Sequence, residues 1–205
     1  MIRVQPLAGT PFLASFWKFS MIWFTSDTHF GHQAIINMLD RPFTDIDEMN
    51  HKIVNNINSV VHVNDHLYHL GDFSYRISVE EALNIRNQIR CKNIHLVKGN
   101  HDKDWSNSEV EDTFILEPLV ATIKLQDGNK LALCHYPMLA WPSKHHGSIH
   151  LHGHIHAKHE YNLKNRKDCV FRYDVGVDAN NFSPVSLNEI IKFFSGIKPV
   201  TNHDF

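Results

Sequence analysis

Five times along this sequence a short apolar run stops at a side chain that can bind a metal ion or carry a proton. Residues 22–26 lead into Asp27-Thr28-His29-Phe30-Gly31-His32, and residues 67–70 into Gly71-Asp72. Residues 94–97 lead into Lys98-Gly99-Asn100-His101-Asp102, residues 130–134 into His135-Tyr136-Pro137, and residues 148–151 into His152-Gly153-His154-Ile155-His156. A buried strand that ends in polar groups delivers them to the rim of a sheet, where α/β proteins place their ligand sites. With the device repeated this often, the fold is constrained to one that brings several strand ends together.

The segments between the runs supply the rest of the pattern. Residues 33–39 read as a short helix, broken by Arg41-Pro42-Phe43. Asp45 with Glu48, and Ser78 with Glu81, have the spacing of capping boxes opening helices to about Val61 and Ile89. Ile46, Met49, Ile53, Ile57 and Val60 fall on one face of the first of these. Residues 119–125 and 130–134 flank the turn signal Asp127-Gly128-Asn129 and read as a hairpin. Residues 169–177 are a further strand candidate, reached through a polar loop over 164–168. Ser186 and Glu189 cap a last helix ending near Phe194. The first half alternates strand and helix, and the second reads as mostly hairpins with one closing helix. The expected fold is α/β with an α+β-like second half, a four-layer αββα sandwich of two mixed sheets flanked by helices. Residues 21–205 would form a single domain, preceded by an extension over residues 1–20.

Composition excludes several classes. A formal net charge of −2 over 205 residues gives no basic footprint for stable nucleic-acid binding. No run approaches the length of a membrane span. Cys91, Cys134 and Cys169 form neither a disulfide framework nor a close pair, which fits a reducing, cytoplasmic compartment. The chain has 17 histidines, and histidine is the commonest metal ligand and titrates near neutrality, so the excess directs attention to a metal or acid–base site.

Asp27-x-His29 and His154-x-His156 each place two donors two residues apart, which on a strand points both to one side. The same alternation turns Cys134 away from His135 and into the core. Donors of oxygen and imidazole without thiolate suit manganese, iron or zinc. Asp27, His29, Asp72, Asn100, His135, His154 and His156 are too many ligands for one ion. Two ions sharing a carboxylate would use them all.

These blocks, with Gly99-Asn100-His101-Asp102 at their centre, resemble in content and order the five motifs of the calcineurin-like metallophosphoesterase superfamily. The stretch from Thr25 to His32, with Arg41-Pro42-Phe43, resembles a small bacterial and phage subgroup of uncharacterised phosphoesterases. The block around His135 carries Cys134 where the family usually has Gly or Ser. The resemblance implies two divalent transition-metal ions, manganese first, with iron, zinc and nickel as alternatives. Asp27, His29, Asp72 and His156 would hold one ion. Asp72 would bridge to a second, held by Asn100, His135 and His154. A hydroxide shared by the two ions would attack phosphorus. His101 would stabilise the transition state or protonate the leaving oxygen, with Asp102 orienting its imidazole.

Softer candidates lie nearby. His32 follows the first ligands and is placed to reach a substrate phosphate. Arg41 could grip phosphate through its planar fork. Trp141 reads as a packing residue, and Asp174 and Asp178 as carboxylates that bond backbone near the final turn. The expected activity is hydrolysis of a small phosphodiester of the nucleotide or cyclic-nucleotide class. A phosphomonoesterase on the same site and a non-catalytic metal-binding scaffold are the alternatives. Keeping His101 and all seven ligand positions weighs against the scaffold.

Overall fold

The computed structural model describes residues 20–106 and 110–199, so all but Ser20 of the expected extension lies outside the described residues. In chain order the elements are β1 Ile22–Thr25, α1 Gln33–Met38, α2 Ile46–Val60, β2 His66–His69, α3 Val79–Gln88, β3 Asn93–Val97 and β4 Ile115–Glu117. There follow β5 Val120–Lys124, β6 Lys130–Cys134, β7 Ile149–His152, α4 His159–Lys167, β8 Arg172–Asp174, β9 Val185–Ser186 and α5 Leu187–Phe194.

Helix starts follow local chemistry. Ser78 and Ser186 each accept the backbone N–H of the glutamate three residues on, and that glutamate reaches back to the cap's own N–H. Asp45 completes only half of such a box. Its carboxylate caps Glu48 N at 2.8 Å, but Glu48 turns instead to the N–H and hydroxyl of Thr44 at 2.6 and 2.7 Å.

The strand–helix alternation of the first half yields a parallel ladder. One sheet runs β4-β3-β2-β1-β9, with β9 antiparallel to β1 and the other pairs parallel. The second runs β5-β6-β7-β8. Both sheets are mixed, and helices cover their outer faces. The helix side of the first sheet buries Leu67, Ile94 and Leu96 against Ile35, Met49 and Ile53. Between the sheets lie Phe24, Leu70, Val97, Leu131, Leu133 and Leu151, joined by Ile190 and Phe194 of α5. Among the described residues no helix is long and apolar enough to cross a membrane.

The second half departs from the expected hairpins. Among the described residues of the second sheet only β5 and β6 pair antiparallel, across the turn at Asp127-Gly128-Asn129, whereas β6, β7 and β8 are parallel. A parallel connection needs a crossover, and α4 supplies it where the sequence reads as a polar loop. The helix lacks an apolar period because it buries amides. Asn162 donates to the carbonyl of Asp174 at 2.9 Å and accepts its N–H at 2.8 Å, so one side chain closes the edge of β8 as a neighbouring strand would.

This topology sets the site. The carboxyl ends of β1, β2, β3, β6 and β7 open onto one edge of the sandwich, so the five polar blocks meet there.

Two buried histidines tie this core to pH. His69 donates Nε2–H to Thr28 Oγ1, whose own hydrogen goes to Phe73 O, and its Nδ1 is buried without a partner. His150 bonds Ala132 O through Nδ1 at 3.1 Å, and its Nε2 takes the N–H of Met138 at 3.1 Å. Burial pulls His69 down to about 3 and His150 to about 4. Below the ordinary histidine range the unfolded chain therefore binds protons that the folded chain refuses. Stability should fall as pH drops from 6.5 to about 4, with His150 contributing about 3 kcal/mol of that loss. Denaturation midpoints measured across this window should show a shallower slope for His150→Gln than for wild type. Equal slopes would contradict this account.

Candidate metal centre

The ligand residues do not sit on the strands but just beyond them, and their convergence has a different cause from strand alternation. Asp27 (φ 57°), His29 (49°), Asp72 (56°), His154 (73°) and His156 (47°) all occupy the left-handed backbone region. Each costs on the order of 1–3 kcal/mol in a non-glycine residue and persists only where the surroundings over-determine it. Here two close approaches do so. A Cβ on Gly153 would lie 2.0 Å from Ser26 Oγ and 2.3 Å from Asp27 Oδ2. One on Gly71 (φ +96°) would lie 2.6 Å from both the Gly99 N and His135 Nδ1. The blocks from the two sheets interlock at these glycines.

The side chains gather in two adjoining groups. Asp27, His29 and His156 form one, and Asp72, His135 and His154 the other, each with ligand atoms within 4.8 Å of one another. Asp72 Oδ2 joins them, at 3.4 Å from His29 Nε2 and 3.5 Å from His135 Nε2. Asn100 Oδ1 lies 3.1 Å from His135 Nε2, adding the amide to the second group.

Two of the imidazoles, His135 and His156, are held by their far nitrogen. His135 Nδ1 donates to Leu70 O at 2.7 Å, and His156 Nδ1 bonds Asp178 Oδ2 at 2.9 Å. That fixes the ring and turns Nε2 inward, as outer partners do for metal-binding histidines. His135 Nε2 then carries a lone pair in its neutral form, yet it faces Asn100 Oδ1, Asp72 Oδ2 and His154 Nδ1, the last at 3.2 Å. His29 Nε2 is buried with no hydrogen-bond partner. Lone pairs that face one another in a buried place fit a cation. The residues present therefore suit divalent ions, and an oxygen and imidazole set without thiolate suits a transition metal.

The electrostatics follow the same map. Burial works against the charge of Asp72, but His135, His29 and the His101 N–H outweigh it and hold the carboxyl well below the usual carboxylate range. For His135, burial is overcome by Asp72 and Asp27, and its affinity for a proton is raised. For His29 and His154 burial prevails and the proton affinity is lowered.

His101 is exposed at the mouth, its N–H donating to Asp72 Oδ1 at 2.9 Å and its ring 5.6 Å from that of His29. Asp102 does not orient that ring. Its carboxylate accepts the N–H groups of Asp72, Phe73 and Gly99, each at 2.8 Å, and so fastens the block at Asp72 to the block at Asn100. His32 stands beside the first group, with Nδ1 3.2 Å from His29 Nδ1.

Arg41 departs from expectation. Its five N–H groups are consumed by the Asp178 carboxylate (2.9 and 2.7 Å), the carbonyls of Asp27 and Thr28, and Met49 Sδ. At 3% exposure it has no donor left for a phosphate. Asp178, in turn, pairs with Arg41 and His156 rather than with backbone. No sequence signal links Arg41 to a carboxylate 137 residues away. Trp141 is buried, its indole N–H bonded to Ser148, and Asp174 caps the N–H of Gly176 at 2.7 Å.

A two-sheet sandwich that interlocks its strand ends around carboxylate, imidazole and amide donors belongs to the class of proteins built to hold metal ions. Comparison with known proteins gives the family. The family model for the calcineurin-like phosphoesterase superfamily domain matches residues 21–172, and the chain belongs to that superfamily of metal-dependent phosphoric ester hydrolases. An uncharacterized protein of Methanocaldococcus jannaschii is 34% identical over 183 residues, covering 87% of this chain and 94% of the relative. A protein of unknown function from Aquifex aeolicus, known from a crystal structure, superposes with a TM-score of 0.67 at 29% identity, over 84% of this chain and 98% of that one. The Pseudomonas putida nuclease MPE matches with a TM-score of 0.41 at 14% identity, over 66% of this chain and 61% of that one.

Proposed function

We propose that this protein hydrolyses a phosphodiester at a pair of divalent transition-metal ions, manganese by preference. The carrying observation is the position of Asp72 Oδ2, 3.4 and 3.5 Å from the inward nitrogens of His29 and His135, where one carboxylate serves both donor groups. Asp27, His29, Asp72 and His156 would hold one ion and Asp72, Asn100, His135 and His154 the other. Bound there, the ions supply an activated water and neutralise charge on the phosphoryl oxygens.

The chain's own groups do the rest. His101, exposed at the mouth, hands a proton to the departing ester oxygen. Asp102 keeps the backbone of Asp72 and Asn100 in register. The neutral amide of Asn100 holds without cancelling charge. A diester is favoured because ring-lined walls stand on both sides of the donors, one beside each group, along which the two organic arms of a diester would lie. Tyr75 lies 5.9 Å from the His29 ring, and Tyr136, 45% exposed, lies 4.7 Å from that of His154. A monoester has one organic group and would leave one of these walls unused.

Chelated and manganese-reloaded protein should be compared on bis(p-nitrophenyl) phosphate. Turnover should return only with metal, and His101→Ala should lower kcat by about 10²–10⁴-fold while metal content persists. Wild-type turnover no greater than that of His101→Ala, with metal bound in both, would favour a scaffold instead.

A further inference from the structure

Beyond His29 the wall of the site continues as a stack of rings. The His32 ring lies 5.2 Å from that of His29, and Tyr75 stacks on His32 at 3.9 Å. The guanidinium of Arg76 is next, 5.0 Å from the Tyr75 ring centroid. His101 meets Tyr75 edge-on at 4.8 Å. The proposed general acid and this guanidinium thus share one aromatic support.

Arg76 differs from Arg41 in every respect that matters for ligand binding. It is exposed, and among the described residues no carboxylate pairs with it. A guanidinium laid against a ring keeps the N–H groups along its edge free for bidentate contact with a phosphate. Its place is held by structure rather than chance. Tyr75 N donates to Phe30 O at 3.0 Å, and Ser74 bridges to Phe30, so this segment is fastened to the loop that carries His29. Arg76 itself is in the left-handed region, at φ 54°. With His32 and Arg76 already against it, Tyr75 supports the guanidinium and is not open to stack a base.

Resting on the phosphodiesterase reading above, we propose that Arg76, carried on Tyr75, is a subsite for a second phosphate group of the substrate. The guanidinium lies past His32 and Tyr75 from the donor groups, so the phosphate it takes is a different one from the phosphate that reacts. The substrate class that fits is a nucleotide with phosphates on both sides of one nucleoside, as at the end of an oligonucleotide or in a nucleoside bisphosphate ester.

Two chromogenic esters isolate the second phosphate. They are thymidine 5′-(p-nitrophenyl phosphate) and the same ester bearing a 3′-phosphate, compared with manganese-loaded wild type, Arg76→Ala and Arg76→Lys. Wild type should favour the 3′-phosphorylated ester in kcat/KM by about tenfold or more. Arg76→Ala should lose that preference through KM, and Arg76→Lys, which keeps the charge but not the fork, should retain part of it. Calorimetry with thymidine 3′,5′-bisphosphate against thymidine 5′-monophosphate gives a readout independent of turnover and should show the same dependence on Arg76. If Arg76→Ala leaves the ratio between the two esters as in wild type, the subsite is wrong and the hydrolase reading survives. If wild type cleaves neither ester yet binds the bisphosphate through Arg76, the hydrolase reading falls and the subsite stands.

Discussion

Replacing Asp72 by Asn is expected to empty both metal positions at once and to reduce phosphodiester turnover to background. Asp72 Oδ2 faces the inward nitrogens of His29 and His135 together, so its charge serves two donor groups. The carboxyl is held well below the usual carboxylate range, and it is therefore available to cations throughout the physiological pH range. An amide oxygen has no formal charge, and its NH₂ would compete for the same lone pairs of His29 and His135. The same NH₂ can donate to those imidazoles, so the fold should survive the change. Metal analysis after manganese loading should fall from about two ions per chain to below one, with the circular dichroism of the wild type. Loss of one ion only would show that the groups bind independently. Full occupancy of both would remove Asp72 from the bridging role.

The composition of this site was legible in the sequence, but the reason for its geometry was not. Asp27, His29, Asp72, Asn100, His135, His154 and His156 stand out because each follows an apolar run, and all seven meet at one edge. Strand alternation, however, is not what aims them. After β1, β2 and β7 the chain enters left-handed backbone at Asp27, His29, Asp72, His154 and His156, and close packing at Gly71 and Gly153 enforces it. A sequence pattern of period two cannot show a turn whose cause lies in another sheet. The same holds for Asp102. Its motif neighbours suggest a partner for His101, whereas its carboxylate goes to three backbone amides that only the folded chain assembles.

The missed elements share a second cause. Helix α4 was hidden because its buried side chains, Asn162 and Asn165, are polar and leave no apolar period. The hydrogen bonds of Asn162 replace strand pairing at β8, and amide chemistry of that kind has no signature in hydropathy. Strand β9, two residues long, is too short for periodicity to mark. Tyr75 and Arg76 carry no sequence signal either, since an exposed Arg after a Tyr is ordinary. What distinguishes them is a stack that runs through residues 32, 75 and 101, and only tertiary structure brings those together.

Arg41→Ala should be among the most destabilising single changes in the chain, at about 3–5 kcal/mol, because it strands a buried charge. The Arg41 and Asp178 side chains are 0% and 1% exposed, and the fork grips the carboxylate through two bonds at 2.9 and 2.7 Å. Burial raises the cost of the Asp178 charge, and His156 with Arg41 offsets it, so that the carboxyl stays below its ordinary range. Without the guanidinium, Asp178 keeps only His156 inside the core, and the carbonyls of Asp27 and Thr28 lose a donor that no water replaces without entering. Those two residues flank the first donor group, so metal binding should weaken with stability. Arg41→Lys keeps the charge but cannot span both oxygens and both carbonyls, and it should fall between wild type and Arg41→Ala. The double change Arg41→Ala with Asp178→Asn removes the uncompensated charge and should recover part of the loss. Urea unfolding of the four proteins decides the matter against the alternative that Arg41 grips substrate. A substrate contact would raise KM in Arg41→Lys and leave unfolding within about 0.5 kcal/mol of wild type, as surface substitutions do.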